Sequence, residues 1–298
     1  MRILIPTDGS REAMATMRAA TRFLADGVRQ VDVLYVTPQL HFSGSHAHGE
    51  TARARAAAET RRILYQAKRA LAEEGLDALT LCRMGSPSRV ILSEANNYDV
   101  TIIAARGCNT RSEIGLGPVA SRVVEHAPGC VLIAREPREN KGTRILVPID
   151  ASDGARNALD ALCSLVDLGS AEITLMHVME TLWLRAGLER ELSGDIDPEA
   201  AAADPEAQFA RDLRADADKL LLAARGRLLG EHSGVTTSVR DGNPANEILS
   251  EADQGDYDLV VIGASGAKDM KHSILGSVST KVAWNAPCSV LIVKDRID

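Results

Sequence analysis

The chain has 298 residues, 45% of them hydrophobic, with a formal charge of −7 and only 3% aromatic content. That length suits two domains of about 150 residues with sizeable cores, and no apolar run approaches the roughly 20 residues of a membrane helix. An acidic chain poor in aromatics lacks the basic stripe and stacking platform of a nucleic-acid binder.

Residues 3–6 read as a buried strand that Met1 and Arg2 enter directly, without signal-peptide architecture, so a cytoplasmic location is expected. Asp8-Gly9-Ser10 follows, with Ser10 as N-cap of a helix that buries Ala13, Met17, Ala20 and Leu24 and ends at Gly27. A strand at 31–36 leads to a polar loop over 41–50. There His41, His46 and His48 are either a solvated cluster or the beginning of a zinc site that lacks further ligands. An Ala-rich helix then runs to Glu74 and stops at Gly75. A strand at 79–83, a helix opened by Ser86-Pro87, a strand at 99–105, a helix at 118–126 and a strand at 130–134 follow.

Charged residues 135–142, with Pro137 and Gly142, read as a linker, and the same plan then repeats. Ile3-Leu-Ile-Pro-Thr-Asp8-Gly-Ser10 matches Ile145-Leu-Val-Pro-Ile-Asp150-Ala-Ser152, and Gly85-Ser-Pro87 matches Gly242-Asn-Pro244. His126-Ala-Pro128 matches Asn285-Ala-Pro287, so the offset grows from 142 to 159 and the second half carries an insertion at about 179–205, with Trp183, Leu184 and Leu188. After it, Asp204 and Pro205 open a long helix whose stripe of Phe209, Leu213, Ala217, Leu220, Ala224 and Leu228 reads as core. One repeat at this period means two domains, 1–138 and 143–298, not a solenoid. Strands alternating with helices predict parallel pairing through right-handed crossovers, hence two doubly wound α/β sheets. Cys130 and Cys288 begin matching strands and read as small buried side chains; with Cys82, Cys108 and Cys163 they form no C-x-x-C, and disulfides are not expected.

The chemistry concentrates after the strand at 258–262. Gly263-Ala-Ser-Gly266 ends that strand, and nine residues later Gly276-Ser277 opens a helix. Glycines allow close backbone approach, and a helix N-terminus offers N–H groups and partial positive charge that suit phosphate. There is no P-loop, no Gly-x-Gly-x-x-Gly after a strand and no nucleophile elbow.

The spacing Gly-x2-Gly-x9-Gly-Ser, with Val278-Ser279 after it, resembles the nucleotide-binding signature of the universal stress protein family. Ile145–Ser152, Leu175-Met-His-Val178, the stretch from Gly242 and Ala286–Val293 resemble further parts of that family, covering most of 143–295. The resemblance implies five-stranded sheets of order 3-2-1-4-5, with the ligand at the switch point between the first and fourth strands. It implies ATP bound by Pro148, Asp150, Val178, Ile262, Gly263, Gly266, Gly276, Ser277 and Val278. In that reading Pro148 and Val178 wrap adenine, Gly263 admits the ribose, and Gly276-Ser277 cradle phosphate. Asp150 either holds magnesium bridging the phosphates or caps its own turn. Lys268, Lys271 and His272 either neutralise phosphate or belong to a solvated loop.

The first half departs from the pattern: Ala104 stands for Gly263 and Pro118 for Ser277, so its site reads as degenerate. The expected protein is therefore a tandem regulatory ATP-binding module with one nucleotide per chain and unidentified protein partners. The rivals are a slow ATPase or autophosphorylating enzyme using Asp150, His272 or Ser273, and a nucleotide-free scaffold. The last strands, 131–134 and 290–293, are apolar edges that need cover, and family members often pair there, so the halves are expected to pack together as a homodimer-like pair. Dimerisation of whole chains stays open.

Overall fold

In the computed structural model of the chain, residues 1–24, 28, 30–37, 46–107, 115–136, 142–180, 205–228, 234–266 and 275–294 are described. In the first half these form β1 (Arg2–Thr7), α1 (Arg11–Thr21), β2 (Gln30–Thr37), α2 (His46–Glu73), β3 (Ala78–Met84), α3 (Pro87–Ala95), β4 (Val100–Ala104), α4 (Pro118–His126) and β5 (Cys130–Ala134). The second half gives β6 (Arg144–Pro148), α5 (Asp153–Leu165), β7 (Glu172–Met179), α6 (Pro205–Leu228), β8 (Val235–Asp241), α7 (Pro244–Gln254), β9 (Leu259–Gly263), α8 (Ser277–Asn285) and β10 (Ser289–Val293). Every strand-to-strand pairing within a half is parallel.

The local start signals act as their chemistry dictates. Ser10 and Ser152 each accept the N–H three residues on, Ala13 and Ala155, both at 3.1 Å. Gly75 sits at φ +80° just past α2, where a side chain would be strained. Asn243 caps α7 through the Asn246 N–H at 3.2 Å, whereas Ser86 makes no such bond at α3 and the proline after it sets the first turn alone.

Several expectations are corrected. α1 ends at Thr21 rather than Gly27, because Leu24 leaves the helix to form an antiparallel bridge with Val166. The polar loop is shorter than expected, since α2 begins at His46 and carries His48; His41 lies outside the described residues. The same is true of Asp204, Trp183, Lys268, Lys271, His272 and Ser273. The two five-stranded sheets are one ten-stranded sheet of order β3-β2-β1-β4-β5-β10-β9-β6-β7-β8. Within it each half keeps the order 3-2-1-4-5.

The two halves join where β5 and β10 run antiparallel, with Leu132 opposite Leu291, Ile133 opposite Val290 and Val131 opposite Ile292. All six side chains are at most 3% exposed, so neither apolar edge meets water. Around this seam each half supplies a cation to the other. Arg135, expected in the linker, donates instead to the carbonyls of Ala283 (2.7 Å) and Cys288 (3.1 Å), and its N–H to Ser289 Oγ. At the matching position after β10, Lys294 donates to the carbonyls of Glu125 (3.2 Å) and Ala127 (2.9 Å). Both cations meet the negative end of a helix from the opposite half. Burial pulls the Lys294 amine down to about 8 and the Arg135 guanidinium to about 10. A third tie is one-sided: Arg22 Nη2 pairs at 2.7 Å with Asp258, whose side chain is fully buried and whose other oxygen accepts the Arg144 N–H at 3.0 Å.

Removing Arg22 strands a buried carboxylate. With Arg22 a third exposed, Arg22→Ala is expected to lower stability by about 2–3 kcal/mol in urea unfolding; a change near zero refutes the pairing. For Lys294 the folded pKa lies below the unfolded one. The unfolded chain therefore binds more protons between pH 8 and 10.5, and stability rises with pH across that window. At about 1.4 kcal/mol per pKa unit, and with each state half titrated at one end of the window, Lys294→Met should remove about 3 kcal/mol of that rise, read from melts at both ends.

Candidate functional site

β6 is bonded to β9 only at Ile145–Leu259 and Leu146–Val260, after which the two strands part. Their carboxyl ends therefore splay at the switch point, and the start of α5 fills the base of the gap. A Cβ on Gly263 would lie 2.5 Å from the carbonyl carbon and oxygen of Gly154, and a Cβ on Gly154 would collide with the Ser265 carbonyl. The two glycines are thus required by chain-against-chain packing. The ribose approach expected of Gly263 is not needed to explain it.

Above this contact lies a cavity of about 560 Å³, within the roughly 300–1,000 Å³ usual for small-molecule sites. Pro148, Asp150, Val178, Ile262, Gly263, Gly266, Ser277 and Val278 all line it, so the structure gathers these residues from four separate stretches. Gly276 does not line it. Gly276 is buried and its N–H is bonded to the Ala264 carbonyl at 2.7 Å.

The helix start that does face the cavity is one residue later. Gly276 caps α8 in extended conformation (φ −67°, ψ 159°), and the first intrahelical bond runs from the Thr280 N–H to the Gly276 carbonyl at 2.8 Å. The N–H groups of Ser277, Val278 and Ser279 are consequently left without a partner among the described residues. Ser279 Oγ donates to the Gly263 carbonyl at 2.6 Å, tying this helix start to the tip of β9.

Asp150 forms an Asx turn: its Oδ1 accepts the Ser152 N–H at 3.0 Å and also the Ser152 hydroxyl. Asp8 accepts the Ser10 N–H at 2.9 Å in the same way, so this turn belongs to the fold of both halves, and in the second it also forms cavity wall. His177 lies in the wall with Nδ1 2.7 Å from the Ile149 carbonyl. A carbonyl can only accept, so Nδ1 carries the proton and the ring stiffens the loop that bears Asp150. Carboxylates Asp150, Glu180 and Asp216 line the cavity, and no Lys or Arg does among the described residues. No cluster of three metal-ligating side chains occurs among them either.

The sequence pattern missed the α6 contribution. Leu213, Ala217 and Leu220 line the cavity, although the stripe containing them reads as core, and Asp216 beside them lines it too. Ala217, Leu221, Ala224 and Leu228 are buried, while Phe209 is 46% exposed.

The first half diverges at the same places. Gly117 adopts φ −67°, ψ 163° and its N–H meets the Ala105 carbonyl at 2.9 Å, matching Gly276, but Pro118 has no N–H and Ala120 replaces Ser279. A Cβ on Gly107 would meet the Asp8 carboxylate, which would have to turn aside to admit it. A groove in this half runs between α1 and α2, beside Arg11, Arg18, Arg69 and Glu73.

Comparison with known proteins agrees with the repeat. The family model described as "Universal stress protein family" matches residues 1–135 and again 142–294. A universal stress protein of Mycolicibacterium smegmatis is 23% identical over 308 aligned residues, covering 99% of this chain and 97% of that one. Universal stress protein YxiE of Bacillus subtilis is 30% identical over 151 residues, 51% of this chain and 98% of its own. Among solved structures, a universal stress protein from Archaeoglobus fulgidus superposes with a TM-score of 0.65 at 22% identity, covering 98% of both chains. With both halves matched and the doubly wound fold repeated across a single sheet, the chain belongs to the universal stress protein family.

Proposed function

We propose that this chain is a cytoplasmic regulatory module that binds one adenine nucleotide, ATP with magnesium, in the second-half cavity. The observation that carries this reading is the set of N–H groups at the start of α8 that have no partner among the described residues and open into an apolar cavity at the switch point. These donors and the positive end of the helix dipole suit phosphate, with the Ser277 hydroxyl adjacent. The apolar walls, Val178 and Ile262 among them, suit the base. Magnesium ordinarily takes one or two carboxylates together with phosphate oxygens, and Asp150 in the wall fits as the single protein ligand of that kind. The metal would screen phosphate charge beside an acidic lining. Among the described residues no helix is long and apolar enough to cross a membrane.

Signalling by occupancy suits a site of this composition. Asp150 is held in its turn by Ser152, and His177 is held by the Ile149 carbonyl, so neither is free to take a proton from an attacking water without breaking that bond. The protein partners that would read the occupied state are unidentified.

Calorimetry should find one site per chain with micromolar affinity, about −8 kcal/mol; two equivalent sites, or none for any adenine nucleotide, defeat the proposal. Ser277→Pro copies Pro118 of the first half and removes one N–H and one hydroxyl at the helix start. At about 1.5–3 kcal/mol for each charge-assisted bond, affinity should fall a hundredfold or more. Circular dichroism should be unchanged, since proline is tolerated at that position.

Phosphate release under magnesium is expected well below about 1 per second, the low end for ordinary enzymes. Turnover of tens per second that disappears in Asp150→Asn would instead establish the ATPase reading.

A further inference from the structure

The cavity is not confined to the face of the sheet that carries α8. Along β7, Met176 and Val178 point to the face packed by α7 and α8, while His177 and Met179 alternate to the face packed by α5 and α6. All four line the same space. The cavity therefore wraps the strand tips, with Ser277 and Val278 at one end and Leu213 and Leu220 of α6 at the other.

The two ends differ chemically. At α8 there are N–H donors and a helix dipole; at α6 there are leucines beside the Asp216 carboxylate, which pairs with Lys219 at 2.9 Å. An anionic group is drawn to the first end, whereas at the second the carboxylate is already paired with Lys219, and the leucines set its character. A flat, uncharged group bearing N–H or O–H donors suits the second.

The first half shows what closes this end. Ala78 of β3 corresponds to Val235 of β8, and the same offset of 157 sets Ile63 against Leu220. Ile63 is 3% exposed and packs on Gly9 so tightly that a Cβ there would lie 2.7 Å from its side chain. In the second half Ala151 stands at the position of Gly9, and Leu220 lines open space instead.

We propose that α6 forms the nucleoside-binding wall of the second-half site, with Leu213 and Leu220 as its specificity-determining side chains. This rests on the adenine-nucleotide reading above and adds to it the α6 side chains against which the nucleoside packs.

The test is a double dissociation with three probes: ATP, adenosine and inorganic tripolyphosphate. Leu220→Trp fills the α6 end, and Leu213→Trp does so from a less buried position should the first variant fail to fold. Either should weaken adenosine and ATP by at least about tenfold, the scale of one misfitted apolar contact, and leave tripolyphosphate unchanged. Ser277→Pro should do the opposite, weakening ATP and tripolyphosphate while sparing adenosine. Folded tryptophan variants that bind ATP with wild-type affinity overturn the α6 wall alone. So do variants that lose adenosine and tripolyphosphate in parallel. Failure of the unaltered protein to bind either ATP or adenosine overturns the nucleotide reading itself, and the wall with it.

Discussion

The antiparallel seam between β5 and β10 is the constraint on which the rest of the structure depends. A parallel five-stranded sheet wound this way ends in a strand covered on both faces by helices but open along its edge. Six nearly inaccessible residues from the two final strands meet there, and each side gains the hydrogen-bond partners that an isolated domain would have to seek from water or from another molecule. The lateral ties, Arg135 and Lys294 on opposite helices and Arg22 on Asp258, act at the margins of this seam and fix its register.

A second constraint lies inside the second half. The tip of β9, the first turn of α5 and the start of the following loop touch through bare backbone at Gly263, Gly154 and Ser265. That contact anchors the floor of the splay between β6 and β9, and Ser279 pins the start of α8 to the same strand tip. The cavity is thus bordered by elements that cannot shift independently. Its donors are pre-arranged, which lowers the ordering cost of binding.

Much of this was legible in the sequence. The repeated strand-turn-helix pattern, the serine caps and the glycine loop led to the fold, the switch point and eight cavity residues, because each rests on local chemistry that leaves a local mark. What was not legible depended on partners distant in the chain. Arg135 sits among charged residues and looks like linker; only the seam shows that its guanidinium faces the end of a helix from the other half. Gly263 signals a close approach, yet nothing nearby in sequence tells that its neighbour is Gly154. Leu213 and Leu220 follow the same helical period whether they face core or cavity, so periodicity could not separate the two. Gly276 is the converse case: the motif is present, but its N–H serves the loop and the donors begin at Ser277.

The covalent link across the seam has a consequence for how such a protein can diverge. In a pair of identical subunits every substitution occurs twice, and a change that closes one site closes both. Here Leu132 and Leu291, or Leu24 and Val166, are related as symmetry mates would be, yet each is encoded separately. One copy can therefore accumulate Pro118, Ala104 and a buried Ile63 while the other keeps an open cavity, and the shared seam continues to hold both. Duplication within one chain turns a symmetric assembly into one whose halves are free to specialise.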